Sequence, residues 1–166
     1  MVLTKSELIS CLQHEVRILV HLCSKIQPAT LDYRPTSKQR STIELLRYLA
    51  AVGRGMVPSI KAGVQQAEQW GILEKQAAAM DFDAVVKSLE ALSAFYAEAV
   101  GAFSDEELRD ELDLFPPNEK RSRGRWLVDY VLCLHAAYRT QLFCYLKACG
   151  REELSTMNLW AGVDVI

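Results

Sequence analysis

The apolar residues of this chain recur every three or four positions, which is the spacing of one face of an α-helix. A first helix is predicted from Thr4 or Ser6 to about Ile26. Its inward stripe is Leu8, Leu12, Val16, Leu19, Cys23 and Ile26. The dipeptide Gln27-Pro28 ends this helix, and residues 31–40 form a polar connection that contains a proline.

A second helix is predicted to begin at Ser41-Thr42-Ile43-Glu44, because a serine followed three residues later by a glutamate has the spacing of a capping box. Its inward residues are Leu45, Tyr48, Leu49 and Val52. Interruptions are expected at Gly53, Gly55 and Pro58. The helical tendency continues over residues 59–79 with a break near Trp70-Gly71, so the pattern does not define the structure of residues 53–80.

A third long helix is predicted from Phe82 to Val100, with Asp81 as its N-terminal cap. Its inward residues are Val85, Leu89, Leu92 and Tyr96. The acidic segment Ser104-Asp105-Glu106-Glu107 predicts the start of a short helix, which Pro116-Pro117 would end.

The last long helix is predicted from about Arg125 to Cys149, after a basic and polar loop. At 100° per residue, its core arc contains Leu127, Val131, Leu134, Tyr138, Leu142 and Tyr145. His135 falls about 60° to one side of Tyr138, and Arg139 lies further round. We interpret His135 as a structural residue against a neighbouring helix; the alternative is a polar group lining a pocket at the open end of the bundle.

These elements predict an all-α protein, an antiparallel four-helix bundle with an additional short helix or helices in the connections. The length of 166 residues suits one domain over residues 1–166. The chain has 19 Lys and Arg residues and 21 Asp and Glu residues, so its charge excludes a strongly basic nucleic-acid binder. No apolar run reaches the ~18 residues of a membrane span, and the first residues lack the order of a secretory signal. We therefore expect a cytoplasmic protein that binds neither nucleic acid nor membrane.

Five cysteines are present, an odd number without a Cys-x-x-Cys pair. This pattern argues against a disulfide framework or a zinc ribbon. Each cysteine lies in a predicted helix among apolar residues, where a free thiol behaves as a small hydrophobic group. Reduced thiols that are buried or half-buried are therefore expected.

Three segments carry a family resemblance by their order and spacing. They are Arg34-Pro35-Thr36 before the capped second helix, Ile43-Glu44-Leu45-Leu46-Arg47-Tyr48-Leu49 within it, and Tyr138-Arg139-Thr140-Gln141-Leu142 leading to Tyr145-Leu146-Lys147 and Gly150. The chain resembles the DinB-like superfamily of bacterial four-helix bundles, which also includes bacillithiol transferase-like and mycothiol-dependent maleylpyruvate isomerase-like proteins. The resemblance covers nearly the whole chain in layout.

The resemblance implies a divalent metal held by three histidines, one on the second helix and two that lie four apart on the last helix. The corresponding positions of this sequence are Tyr48, Leu134 and Tyr138. Leucine cannot bind a metal, and a neutral tyrosine with a pKa near 10 is a poor ligand. His135 is one position away, which is expected to turn its side chain about 100° from the site.

The resemblance therefore favours a DinB-like bundle that has kept the scaffold without metal or catalytic activity. A small molecule or a partner would bind in a pocket lined by Glu44, Tyr48, Leu134, His135, Tyr138 and Arg139. Glu44 is also explained as a helix cap. The alternative is a metal-dependent transferase or hydrolase that uses a thiol, in which a rearranged site recruits His135 to zinc, nickel or manganese.

Three further features have weaker functional interpretations. His14 and His21 share a face of the first helix that is expected to be solvated. The basic residues Lys120, Arg121, Arg123 and Arg125 are also expected to be solvated, the alternative being contact with a phosphate or an acidic partner. The apolar tail over residues 156–166 is expected to pack over the bundle or across the two-fold axis of a homodimer. A regulatory dimer whose tail carries the function is a third hypothesis.

Overall fold

Helices form most of residues 3–114 and 119–164, the part of the chain that this computed structural model describes. They are α1 (Lys5–Cys23), α2 (Thr42–Ala62), α3 (Ala67–Ala78), α4 (Phe82–Glu90), α5 (Leu92–Gly101), α6 (Arg123–Leu127), α7 (Cys133–Ala148) and α8 (Thr156–Trp160). A 3₁₀ turn covers Pro28–Thr30, and a π-helical segment, Val128–Leu132, joins α6 to α7. Strands β1 (Glu111–Leu112) and β2 (Arg121–Ser122) pair antiparallel. None of the described helices is long and apolar enough to span a membrane.

The predicted all-α four-helix bundle is confirmed, and it is built from α1, α2, α4–α5 and α6–α7. The side chain of Lys5 at the start of α1 donates to Phe103 O just beyond α5, so these two helices run antiparallel. Arg47 donates to Met80 O at the opposite end. Because α3 returns the chain to that end, α4–α5 runs in the same direction as α2. The largest side chains packed between the helices include Trp126, Tyr96, Phe103, Leu12, Leu19, Leu49 and Leu89.

Two glycines and a proline do not interrupt α2, contrary to the sequence prediction. A Cβ atom on Gly53 would lie 1.9 Å from Tyr96 Oη, and one on Gly55 would lie 2.6 Å from Trp70 Cε3. These glycines therefore allow close packing of neighbouring helices rather than ending their own helix. Pro58 lies inside the helix, which continues to Gly63 with φ 73°.

The connections differ from the prediction in several places. The expected break at Trp70-Gly71 is absent because both residues lie within α3. The predicted third helix is divided at Ala91 into α4 and α5. Ser104 caps a turn rather than a short helix, since its hydroxyl accepts from the Glu107 amide but residues 105–109 form turns. The proposed end at Pro116-Pro117 lies outside the described residues.

The π-helical segment changes which residues of the last helix face the core. The Cys133 amide donates to Val128 O, five residues back. The buried positions are then Trp126, Leu127, Val131, His135, Arg139, Leu142, Tyr145 and Leu146. The stripe Leu127, Val131, His135, Arg139, Leu142 and Leu146 takes 19 residue steps for about five turns, where an α-helix takes about 18. One extra residue has therefore turned His135 fully into the core, against Tyr96 of α5, as a structural residue against a neighbouring helix, whereas Leu134 and Tyr138, predicted in the core arc, are only half-buried.

The C-terminal segment packs over α1 and α7 of its own bundle. His14 Nε2 lies 3.0 Å from Trp160 O, and His21 Nε2 lies 3.0 Å from Asn158 Nδ2. The face of α1 that carries both histidines is thus covered, and the prediction of a solvated face is wrong. Apolar side chains left exposed on this segment are Met157, Trp160 and Val163.

The cysteines are free thiols with different environments. Cys23 is buried, whereas Cys133 and Cys144 are exposed, which corrects the expectation that all five are at least half-buried. The two exposed thiols lie 11 residues apart, about three turns of the last helix. They are on the face opposite its buried residues and therefore point to solvent.

Candidate functional site

Two predicted site residues, Tyr48 of α2 and Tyr138 of α7, meet at one end of the bundle. Their ring centroids lie 5.2 Å apart with an interplanar angle of 69°, an edge-to-face contact. The ring of Trp70 on α3 also packs edge to face with Tyr48, with their centroids 6.2 Å apart. The guanidinium carbon of Arg40 lies 4.0 Å from the Tyr48 ring centroid, within cation–π distance.

A groove of about 350 Å³ opens beside this aromatic group, between α2 and α3. We name it the Tyr48 groove. The residues that line it are Arg40, Glu44, Arg47, Tyr48, Ala51, Glu74, Ala77 and Ala78. Its volume lies in the range of small-molecule sites.

The charged residues of the Tyr48 groove differ in how far they are already engaged. Glu44 accepts from the Ser41 amide and pairs with Arg34 at 3.1 Å, and the backbone hydrogen bond is the main reason its pKa is lowered. Arg47 uses two of its nitrogens on a backbone carbonyl. Arg40 has no carboxylate partner within the described ranges. Burial raises the pKa of Tyr48, so its phenol stays protonated at neutral pH.

His135 lies in the core, away from this groove, and is fully buried against Tyr96. Its Nε2 is 2.5 Å from Tyr96 Oη, and the Tyr96 ring packs over Gly53. Burial lowers the pKa of His135 to about 4 and raises that of Tyr96. The phenol therefore stays protonated and donates to Nε2, so the ring proton is assigned to Nδ1, which has no hydrogen-bond partner in the described structure.

The donor set does not fit the divalent metal that the resemblance implies. Of the three corresponding positions, Leu134 has no donor atom, and Tyr48 and Tyr138 carry phenols. His135 has committed one nitrogen to Tyr96. Over residues 3–114 and 119–164, no group of three His, Cys, Asp or Glu side chains is arranged to hold a metal ion.

Arg139 forms a buried ion pair with Glu15 of α1 rather than lining the Tyr48 groove. Its Nε lies 2.9 Å from Glu15 Oε2, and the two side chains are 4% and 10% exposed. Burial raises the pKa of Glu15, while the positive charge of Arg139 opposes that shift. Arg139 also donates to Leu159 O and lies 5.3 Å from the Trp160 ring centroid, so it fixes α8 to the bundle.

The structure thus divides the six predicted pocket residues. It brings Glu44, Tyr48 and Tyr138 together and places Leu134, His135 and Arg139 elsewhere. Residues that the sequence analysis missed at these sites are Glu15, Arg40, Trp70 and Glu74. Glu15 could have been found from the sequence, because it places a charge within the apolar stripe, one turn after Leu12 and one turn before Leu19. The positions of the other three residues depend on how separate segments of the chain meet.

Of the four basic residues near β2 that were expected to be solvated, Lys120 is exposed, but the three arginines form ion pairs. Arg121 pairs with Glu119 and Asp129, and Arg123 pairs with Asp110. Arg125 pairs with Asp129 as well. These contacts join the strand pair to the start of α6, which is a structural role.

The comparisons with known proteins agree with the architecture. No protein-family model matches the chain, and a sequence search finds no match among curated proteins. The crystal structure of a DinB-like protein from Bacillus subtilis, YjoA, is similar over 89% of this chain and 94% of its own, with a TM-score of 0.67 and 20% sequence identity. At this identity the likeness concerns the fold. The chain has the DinB-like helical fold that its sequence motifs predicted.

Proposed function

We propose that this protein is a metal-independent binding protein that takes a small planar organic acid in the Tyr48 groove. One observation carries the proposal: the Arg40 guanidinium is stacked on Tyr48 at the groove, without a carboxylate partner in the described residues. A guanidinium offers paired N–H donors that match the two oxygens of a carboxylate. Arg40 is exposed, so a ligand can reach it.

The aromatic residues supply the second half of the recognition. Tyr48 is half-buried and lines the groove, and the half-buried Tyr138 holds the Tyr48 ring through their edge-to-face contact. Flat apolar rings stack well against such side chains, and phenol hydroxyls add hydrogen bonds. A planar acid packs its ring in the groove beside Tyr48 and places its carboxylate on the guanidinium of Arg40.

The alternative of a metal-dependent transferase or hydrolase needs two further ligands next to His135. The side chain that contacts His135 Nε2 is the protonated Tyr96. The other ring nitrogen of His135, Nδ1, has no hydrogen-bond partner among the described residues. No specific observation favours that alternative. A homodimer, a regulatory role of the tail and a cytoplasmic location stay predictions.

The proposal is tested by titrating the protein with benzoate in a calorimeter and by following the tyrosine ring signals by NMR. We expect binding that Arg40→Gln weakens about tenfold or more, because a charge-assisted hydrogen bond is lost. The matched control is Lys38→Gln, which removes an exposed positive charge from the same connection. Absence of benzoate binding at millimolar concentration, or equal weakening by both substitutions, would overturn the proposal.

Metal binding is tested separately by elemental analysis after the protein has been offered zinc, nickel or manganese. The proposal expects no stoichiometric metal. Stoichiometric metal that is lost in His135→Gln would make the metal-dependent enzyme the better hypothesis.

A further inference from the structure

A second groove lies at the opposite end of the bundle, where the start of α1 meets the turns over residues 104–109 and the start of α6. Its volume is about 380 Å³, which is also in the range of small-molecule sites. We name it the Leu108 groove. Its lining includes Leu3, Leu8, Leu108 and Val128 together with Lys5 and Arg109.

The walls of the Leu108 groove are largely aliphatic. Leu8 is buried, Leu108 and Val128 are half-buried, and Leu3 is 36% exposed. None of these four side chains is aromatic, unlike those of the Tyr48 groove. The walls therefore suit a flexible hydrocarbon chain better than a flat ring.

The same groove carries an excess of positive charge. Lys5 Nζ donates to the carbonyls of Phe103 and Gly101 at 2.8 and 3.4 Å, but it has no carboxylate partner within the described ranges. Arg109 is exposed and forms no ion pair there. Arg125 shares the carboxylate of Asp129 with another arginine. Against these three cations, the groove is lined by one acidic residue, Asp105, among those described.

We infer that the Leu108 groove binds an amphipathic monoanion, an unbranched acyl chain of medium length with a terminal carboxylate. The chain lies along Leu8, Leu108 and Val128, which removes apolar surface from water. The carboxylate lies between Lys5 and Arg109, whose charges have no anionic partner in the described structure. This site is independent of the proposed function, because it shares no lining residue with the Tyr48 groove.

The inference is tested with octanoate below its micelle concentration, by calorimetry and by NMR of the leucine and valine methyl groups. We expect saturable binding that shifts the methyl signals of Leu108 and Val128. The affinity should rise by up to about fourfold for each methylene from butanoate to octanoate, as burial of a CH₂ group contributes about 0.8 kcal/mol. Arg109→Gln should weaken octanoate binding about five- to tenfold, since it removes one charged contact.

The two grooves control for each other. Arg40→Gln should leave octanoate binding unchanged, and Arg109→Gln should leave benzoate binding unchanged, so either proposal can fail alone. Octylammonium has the same chain with the opposite charge and should bind at least tenfold more weakly than octanoate. Equal binding of octanoate and octylammonium, no octanoate binding, or methyl shifts spread over the whole core would overturn the inference.

Discussion

The buried His135–Tyr96 pair makes the stability of this protein depend on pH in a defined window. The pKa of His135 is lowered from 6.5 to about 4 by burial alone. In the unfolded chain the imidazole takes up a proton below about pH 6.5, whereas in the folded chain it does so only near pH 4. The unfolded state binds more protons between these values, so stability is lost as the pH falls through this window.

The size of the effect follows from the difference between the two pKa values. Each pKa unit corresponds to about 1.4 kcal/mol, so the full difference corresponds to about 3 kcal/mol and the loss at pH 5 to about 2 kcal/mol. The side chain is fully buried, so no discount for solvent screening applies. That loss is a large fraction of the stability of an ordinary domain.

The assay is urea unfolding followed by circular dichroism at pH 7 and pH 5. Wild type should lose about 2 kcal/mol more on acidification than His135→Leu, which cannot take up the proton. Other titrating groups, such as Glu15 and His21, are present in both proteins and cancel in the comparison. His21→Gln is the matched control, since this partly exposed histidine also has a lowered pKa but lies between α1 and the C-terminal segment, outside the core. An equal pH dependence of the free energy of unfolding in wild type and His135→Leu would refute the reasoning. If His135→Leu does not fold, Tyr96→Phe provides a second test.

Three further predictions concern packing and accessibility. Gly53→Ala should destabilise the protein by about 1–3 kcal/mol in urea unfolding, because the added methyl group overlaps the side chain of Tyr96. Gly71→Ala is the control: its methyl group meets nothing within 4 Å, so it should stabilise the protein by about 0.5–1 kcal/mol. Equal effects of the two substitutions would contradict this packing. Arg139→Met should cost about 3–5 kcal/mol in the same assay because Glu15 is left buried without its partner, and a cost below 1 kcal/mol would argue against a buried pair. Burial raises the pKa of the Cys23 thiol to about 12, so this thiol should not react with a thiol reagent at pH 8 until the protein unfolds. Labelling is detected by mass spectrometry, and rapid labelling of Cys23 in the native state would contradict its burial.

The starts of the helices were predictable because they depend on neighbouring residues. The side chain of Ser41 accepts from the Glu44 amide, and Glu44 accepts from the Ser41 amide, as the capping-box spacing indicated. The inward stripes of α1 and of α4–α5 were predictable for the same reason, since helical periodicity alone assigns them. Asp81 likewise caps α4 through the Ala84 amide.

The register of the last helix was not predictable, because the extra residue of the π-helical segment leaves no mark in the local pattern. Leu134 and Tyr138 match the periodicity of an ordinary helix, yet His135 and Arg139 occupy the core. Those two polar side chains are stabilised there by Tyr96 and Glu15, which come from other helices. The candidate site was predictable only in part for the same reason: Tyr48 and Tyr138 were found, but Arg40 reaches them from a connection without periodicity.

The sequence by itself determined the helical class, the capped helix starts and the apolar faces, because hydrogen bonds and spacings within one segment fix them. Only the tertiary structure decided which polar residues are buried, whether glycines break a helix, and where the tail lies. Gly53 shows the physical reason most directly. In isolation a glycine weakens a helix, but under the Tyr96 ring it is the residue without a Cβ that lets two helices approach.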